Sequence, residues 1–158
     1  MMMRSLADPK VCASLKRRLD KLTPSTPPQW GVMSSLQMLR HLAAAFEMAL
    51  GDCLVVDRPE RRLDNRIMRF ISVTLPLRWP RGVPTIPETD IAAHPSITQS
   101  VASFAGQRDA LVALIARFSQ AKAGDLRPKH PLLGPFSHDQ WMRWGFRHTD
   151  HHLRQFGC

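Results

Sequence analysis

The chain contains no run of 18 consecutive apolar residues, which excludes an ordinary membrane-spanning helix. Residues Met1 to Leu6 lack the apolar segment that a secretory signal needs, so a cytoplasmic location without a membrane partner is the expectation. Cysteine is scarce. Cys12, Cys53 and Cys158 are odd in number, widely spaced and form no C-x-x-C pair, which argues for reduced packing residues rather than a disulfide scaffold. Cys158, the last residue, is a candidate exposed thiol. A dense basic run and basic–aromatic interleaving are also missing. The net charge of +9 raises the question of phosphate neutralisation, but the arginines are scattered along the chain, with Arg17-Arg18 and Arg61-Arg62 the densest groupings. No nucleic-acid partner is therefore expected, and the excess charge suits a small anionic substrate better. No period-two strand pattern of any length and no internal repeat occurs, which argues against a sheet or a solenoid.

What remains is helical punctuation. A chain of 158 residues suffices for one domain, residues 1–158, with a core that needs no disulfide or metal staple. Asp8-Pro9 pairs a capping residue with proline at the first helical position, and Val11, Leu15, Leu19 and Leu22 follow at helical spacing, predicting a first helix from Pro9 to about Leu22. The prolines of Thr23 to Pro28 force a connection. Ser34-Ser35-Leu36-Gln37 has the form of a capping box and Gly51 is a good terminator, which predicts a second helix between them. A third helix, about Glu60 to Leu75, carries Leu63, Ile67, Phe70 and Ile71 on one face and four arginines largely away from it. Pro76, Pro80, Pro84, Pro87 and Pro95 make residues 76–95 a long irregular loop. A fourth helix is predicted from Ser96 or Thr98 to Ala121, a second loop from Gly124 to Pro135, and a last helix from the capping box Ser137-His138-Asp139-Gln140 to about Phe156. The fold class is all-α: four helices long enough for a bundle, a short accessory helix and a long Pro-rich loop.

The last helix carries the chemistry. Plotted as a wheel, Asp139, Arg143, Arg147, Asp150 and Arg154 form a solvated arc, while Met142, Phe146, Leu153 and Phe156 form an apolar one. The remaining strip holds Trp141, Trp144, His148, His152 and Gln155. His148 and His152 are one turn apart, about 6 Å along the axis, so both imidazoles can reach one ion. Polar groups on a face that should continue the core need partners if buried, and a metal is one solution. Hydrogen-bonded interior histidines, or a chance pair on an exposed helix, would show the same spacing. Asp150 points away from His148 and is not cast as a general base. His41, near the edge of the narrow polar arc of the second helix, reads by itself as a hydrogen-bonded boundary residue. With it, however, three imidazoles and an open fourth position would make a known form of catalytic zinc site that also suits nickel or iron. His94, His130 and His138 fall in loops or at a cap and are expected in solvent. Gln37, Trp144, His151 and Gln155 are candidates to support the histidines or touch a substrate.

With these residues in view, the chain resembles the DinB-like superfamily, helical-bundle metalloproteins that include YfiT-like and bacillithiol-transferase proteins. The resemblance runs from about Trp30 to the C-terminus. It rests on the histidine of Leu39-Arg40-His41-Leu42-Ala43 and on the H-x-x-x-H-x-x-Q pattern of His148, His152 and Gln155. Pro28-Gln29-Trp30-Gly31, Trp79-Pro80-Arg81-Gly82, His130-Pro131 with Gly134-Pro135, and His148 to Gly157 resemble a bacterial subfamily of unknown function. The resemblance implies an up-down-down-up four-helix bundle with a long crossover, and His41, His148 and His152 as ligands of a divalent transition metal, zinc or nickel. Relatives carry a glutamate directly after the first histidine of the last helix; Thr149 stands here, so no acid–base role transfers to that position. The resemblance also implies a reaction in which a metal activates a low-molecular-weight thiol or water, as in a transferase or hydrolase. In that reading the Pro-rich loop, with Trp79, Arg81, Glu88 and Asp90, either walls the substrate or simply crosses the surface. The alternative is a non-enzymatic, metal-stabilised or homodimerising interaction module.

Overall fold

The computed structural model describes residues 3–53, 66–82 and 103–158. Among them the chain is mostly helical: α1 Pro9–Leu19, α2 Ser35–Leu50, α3 Arg66–Thr74, α4 Phe104–Gln120 and α5 His138–Gln155. None of these helices is long and apolar enough to cross a membrane.

The caps explain where they begin. Asp8 accepts a hydrogen bond from the Lys10 N–H at 2.8 Å ahead of Pro9, satisfying one of the donors a helix start leaves open. Ser34 with Gln37 and Ser137 with Gln140 form reciprocal capping boxes for α2 and α5. α2 ends at Gly51, whose φ of 77° lies in the left-handed region that glycine enters without penalty. α1 stops at Leu19, three residues short of the expected Leu22. There Lys21 and Leu22 turn back to Arg18 and Leu19 in tighter three-residue bonds, while Leu22 stays buried.

Three further expectations are corrected. α4 begins at Phe104 rather than 96 or 98, because Ser103 is extended and caps the helix by accepting from the Gly106 N–H; residues 96–102, with Val101, lie outside the described residues. In α3 only Val73 is buried, and Ile67 and Phe70, two members of the expected apolar face, are exposed; residues 60–65 lie outside the described residues. The segment 124–135 is not wholly irregular: a 3-10 turn, Ala123–Asp125, leads to an antiparallel hairpin pairing Lys129 with Pro135 and His130 with Gly134. Strands of two residues are too short to show a period.

α2 packs against α4 and α5, α1 against the same two, and α3 against α5. Phe46, Phe118, Trp141 and Trp144 fill the centre in edge-to-face pairs. Gly145, in mid-α5, permits the closest approach: a Cβ there would sit 2.6 Å from Leu6 Cδ1 and within 3.2 Å of Phe118 and Phe46 carbons. The approximately 1 kcal/mol that glycine costs a helix interior is offset by that contact. α5 is thereby seated against α2, with the histidines of both helices on the shared face.

Candidate metal centre

His41 lies on the inward side of α2 among Met38, Leu42 and Ala45, and is buried like His152; His148 keeps a partly exposed edge. The three rings form a near-equilateral triangle, with centroids 4.8, 5.0 and 5.1 Å apart. His41 Nε2 and His148 Nε2 face each other at 3.1 Å, and one nitrogen from each of the three rings falls within 4.8 Å of the others. An ion about 2.0–2.1 Å from two imidazole nitrogens holds them about 2.9–3.4 Å apart at angles between square and tetrahedral, so the observed pair fits. Nitrogen donors without a carboxylate suit zinc, nickel, copper or iron rather than magnesium or calcium.

Protonation favours the same chemistry. Burial pushes His152 down to about 3, with His41 adding repulsion and the Gln155 bond opposing it. Burial, then the neighbouring imidazoles, take His148 well below its ordinary range. Both rings are therefore neutral at pH 7 and keep the lone pair a metal requires. His152 Nδ1 donates to Gln155 Oε1 at 2.9 Å, which leaves the lone pair on Nε2. Such an outer hydrogen bond is the usual way to orient a ligating imidazole. His148 Nδ1, by contrast, is buried without a hydrogen-bond partner among the described residues.

An aromatic wall stands over the triangle. Trp79 tilts across His148 and His151 with centroid separations of 5.8 and 6.0 Å, and its indole N–H donates to the Ser72 carbonyl at 2.8 Å. The Arg147 guanidinium donates to the Leu75 and Leu77 carbonyls and lies over the Trp79 ring, tying that segment to α5. Trp30 meets His151 edge-on, and the Arg81 guanidinium stacks 4.4 Å from the Trp30 centroid. Two guanidiniums, those of Arg81 and Arg147, thus place positive charge against the tryptophans of the wall.

The other sequence candidates are placed as follows. Gln37 Oε1 accepts the Ser34 N–H of the capping box. Trp144 is buried against His148 at 5.0 Å, and His151 is half-buried between the two outer tryptophans. Thr149 is buried and its hydroxyl donates to the Gly145 carbonyl at 2.8 Å, so no ionisable group stands there. Asp150 turns away to Arg18 and Arg154, at 2.7 and 2.9 Å. His138 is half-exposed with its ring at the Ala121 carbonyl. His94, Glu88 and Asp90 lie outside the described residues. His130 is a correction. Expected in solvent, it is buried, its Nδ1 accepts from the Leu132 and Leu133 N–H groups, and burial pushes it down to about 3. Nothing in its sequence neighbourhood, Lys129 and Pro131, marks it as interior. Arg147 is a wall residue that the sequence does not reveal, since its helical position belongs to the charged arc.

In this mostly helical chain, two helices bring together three imidazoles, those of His41, His148 and His152, that could hold a metal ion. The family model described as the DinB superfamily matches residues 12–156, and the chain belongs to that superfamily. No curated protein and no solved structure matches it significantly.

Proposed function

We propose that the protein is a metal-dependent enzyme of the cytoplasm in which His41, His148 and His152 hold zinc or nickel and a small-molecule substrate, a low-molecular-weight thiol or water, is activated for transfer or hydrolysis. The scaffold in this reading is the up-down-down-up four-helix bundle with its long crossover. The observation that carries the proposal is the 3.1 Å approach of His41 Nε2 to His148 Nε2 with His152 completing the triangle. Bound there, the ion would act as a Lewis acid that lowers the pKa of a thiol or water in its remaining position. The chain's own contributions are three imidazole donors, those of His148 and His152 held neutral by burial, a fixed His152 ring, and a wall of Trp79 and Trp30 that restricts water. Arg81 and Arg147 make the surroundings positive and favour an anionic co-substrate.

The test is conjugation of a small thiol to a haloaromatic or an epoxide by metal-loaded protein. Acceleration that disappears in His152→Ala supports the reading; no metal-dependent rate across common cellular thiols and electrophiles, at full occupancy, overturns the thiol assignment. Exposed Ile67, Phe70 and Leu77 favour a second reading, a homodimerising module, which sedimentation of wild type against Phe70→Glu would reveal.

A further inference from the structure

The orientation of His152 is set from outside the triangle, by the loop that precedes α2. The side-chain amide of Gln155 bridges two partners: its Nε2 donates to the Trp30 carbonyl at 2.8 Å and its Oε1 faces His152 Nδ1 at 2.9 Å. A backbone carbonyl only accepts. Turning the amide over would set oxygen against oxygen, so the Trp30 carbonyl dictates which end of Gln155 meets the imidazole. That end is an acceptor, so Nδ1 must carry the proton and Nε2 the lone pair.

The approach of Trp30 to Gln155 depends on Gly31. Its φ is +79°, and a Cβ there would lie 2.7 Å from Gln155 Nε2, closer than side-chain atoms tolerate. The loop is held in the same place by a second contact, the Gln29 N–H donating to the Gln155 carbonyl at 2.7 Å. Gly157 makes the reciprocal accommodation, since a Cβ on it would meet Gln29 Nε2 at 2.7 Å. The two glycines let loop and helix end close on each other.

We infer that Gly31 and the Trp30 carbonyl are positioning elements that act through Gln155 to lock His152 in the tautomer with a free Nε2, so that the loop before α2, which supplies none of the three histidines, sets the affinity of the site for a transition metal. The metal part rests on the function proposed above; the tautomer part does not. Removing an outer hydrogen bond of a ligating histidine lowers metal affinity about 10–100-fold, and that is the loss expected for both Gln155→Leu and Gly31→Ala. Because both act on one relay, the double variant binds no more weakly than the weaker single variant. Gly51→Ala is the control: Gly51 has a φ of 77° and nothing within 4 Å of an added Cβ, so it carries similar backbone strain and should keep wild-type affinity.

The experiment combines zinc affinity, measured by competition with a chromogenic chelator, with nitrogen-15 NMR of the histidine side chains in metal-free protein. Wild type should show His152 with its proton on Nδ1. Gly31→Ala and Gln155→Leu should shift it toward Nε2 and lose affinity, whereas Gly51→Ala should do neither. Wild-type tautomer and affinity in Gln155→Leu would overturn the inference, and so would an affinity loss in Gly51→Ala equal to that in Gly31→Ala. If wild type binds neither zinc nor, in the same competition assay, nickel, the proposed function falls while the tautomer comparison still decides the relay. Should Gly31→Ala fail to fold, Gln155→Leu, which leaves the glycine in place, decides the question by the same two measurements.

Discussion

Two histidines lie against the indole of Trp144 at nearly equal distances, His130 at 5.4 Å and His148 at 5.0 Å between centroids, yet they are opposite kinds of residue. His130 is buried inside its own hairpin, with Nδ1 taking two backbone N–H bonds from residues two and three positions on. His148 has no partner for Nδ1 among the described residues and points Nε2 at an imidazole of another helix. Burial lowers the basicity of both. A depressed pKa therefore does not separate a structural histidine from a ligand. Convergence of lone pairs from distant parts of the chain does.

The largest stability effect should come from the structural member. His130→Ala strands the Leu132 and Leu133 N–H groups and empties an aromatic contact, a cost of about 3 kcal/mol by chemical denaturation, with metal content unchanged. The pH dependence follows the same residue. With a folded pKa of about 3 against about 6.5 unfolded, the unfolded state binds more protons between these values. The stability supplied by neutral His130 is thus complete above pH 6.5 and is lost as pH falls toward 3. The wild-type melting temperature should drop across that window more steeply than that of His130→Ala; parallel slopes would remove His130 from the account. Next in size is the metal itself. At free metal of 100 times the dissociation constant, binding adds about 2.7 kcal/mol, so chelation should lower the melting temperature by several degrees while leaving helical circular dichroism intact at room temperature. Complete unfolding on chelation would point instead to a zinc-finger-like structural role. The smallest effect is on the wall. Trp79→Phe keeps a ring over His148 but loses the Ser72 hydrogen bond, worth about 1 kcal/mol, and should speed metal release to a chelator more than it alters stability.

Much of the frame is legible in the sequence because its signals are local. Capping boxes at Ser34 and Ser137, Gly51, and Pro9 after Asp8 mark helix ends through hydrogen bonds that span three or four residues. The His148–His152 spacing and the Trp144–Gln155 strip follow from the helical period alone. His41 is different, since its helix gives no reason to favour a ligand over a boundary residue; only the resemblance does, and the structure places its ring in the triangle. The inward-facing His130 is illegible because its partners are backbone groups in a hairpin of two-residue strands. The exposure of Ile67 and Phe70 escapes the sequence because an amphipathic pattern says that a helix has an apolar face, not that another element covers it. The neighbours of Arg147 on the wheel assign it to solvent, although its long side chain reaches carbonyls on the segment that follows α3.

Metal stoichiometry by elemental analysis, run in parallel on wild type, His41→Ala, His148→Ala, His152→Ala and His130→Ala, tests the central contrast most directly. About one transition-metal ion per chain is expected in wild type and in His130→Ala, and a sharp loss in each of the other three. Equal occupancy in all five proteins would show that the triangle is a set of hydrogen-bonded core histidines and that His148 differs from His130 only in its choice of partner.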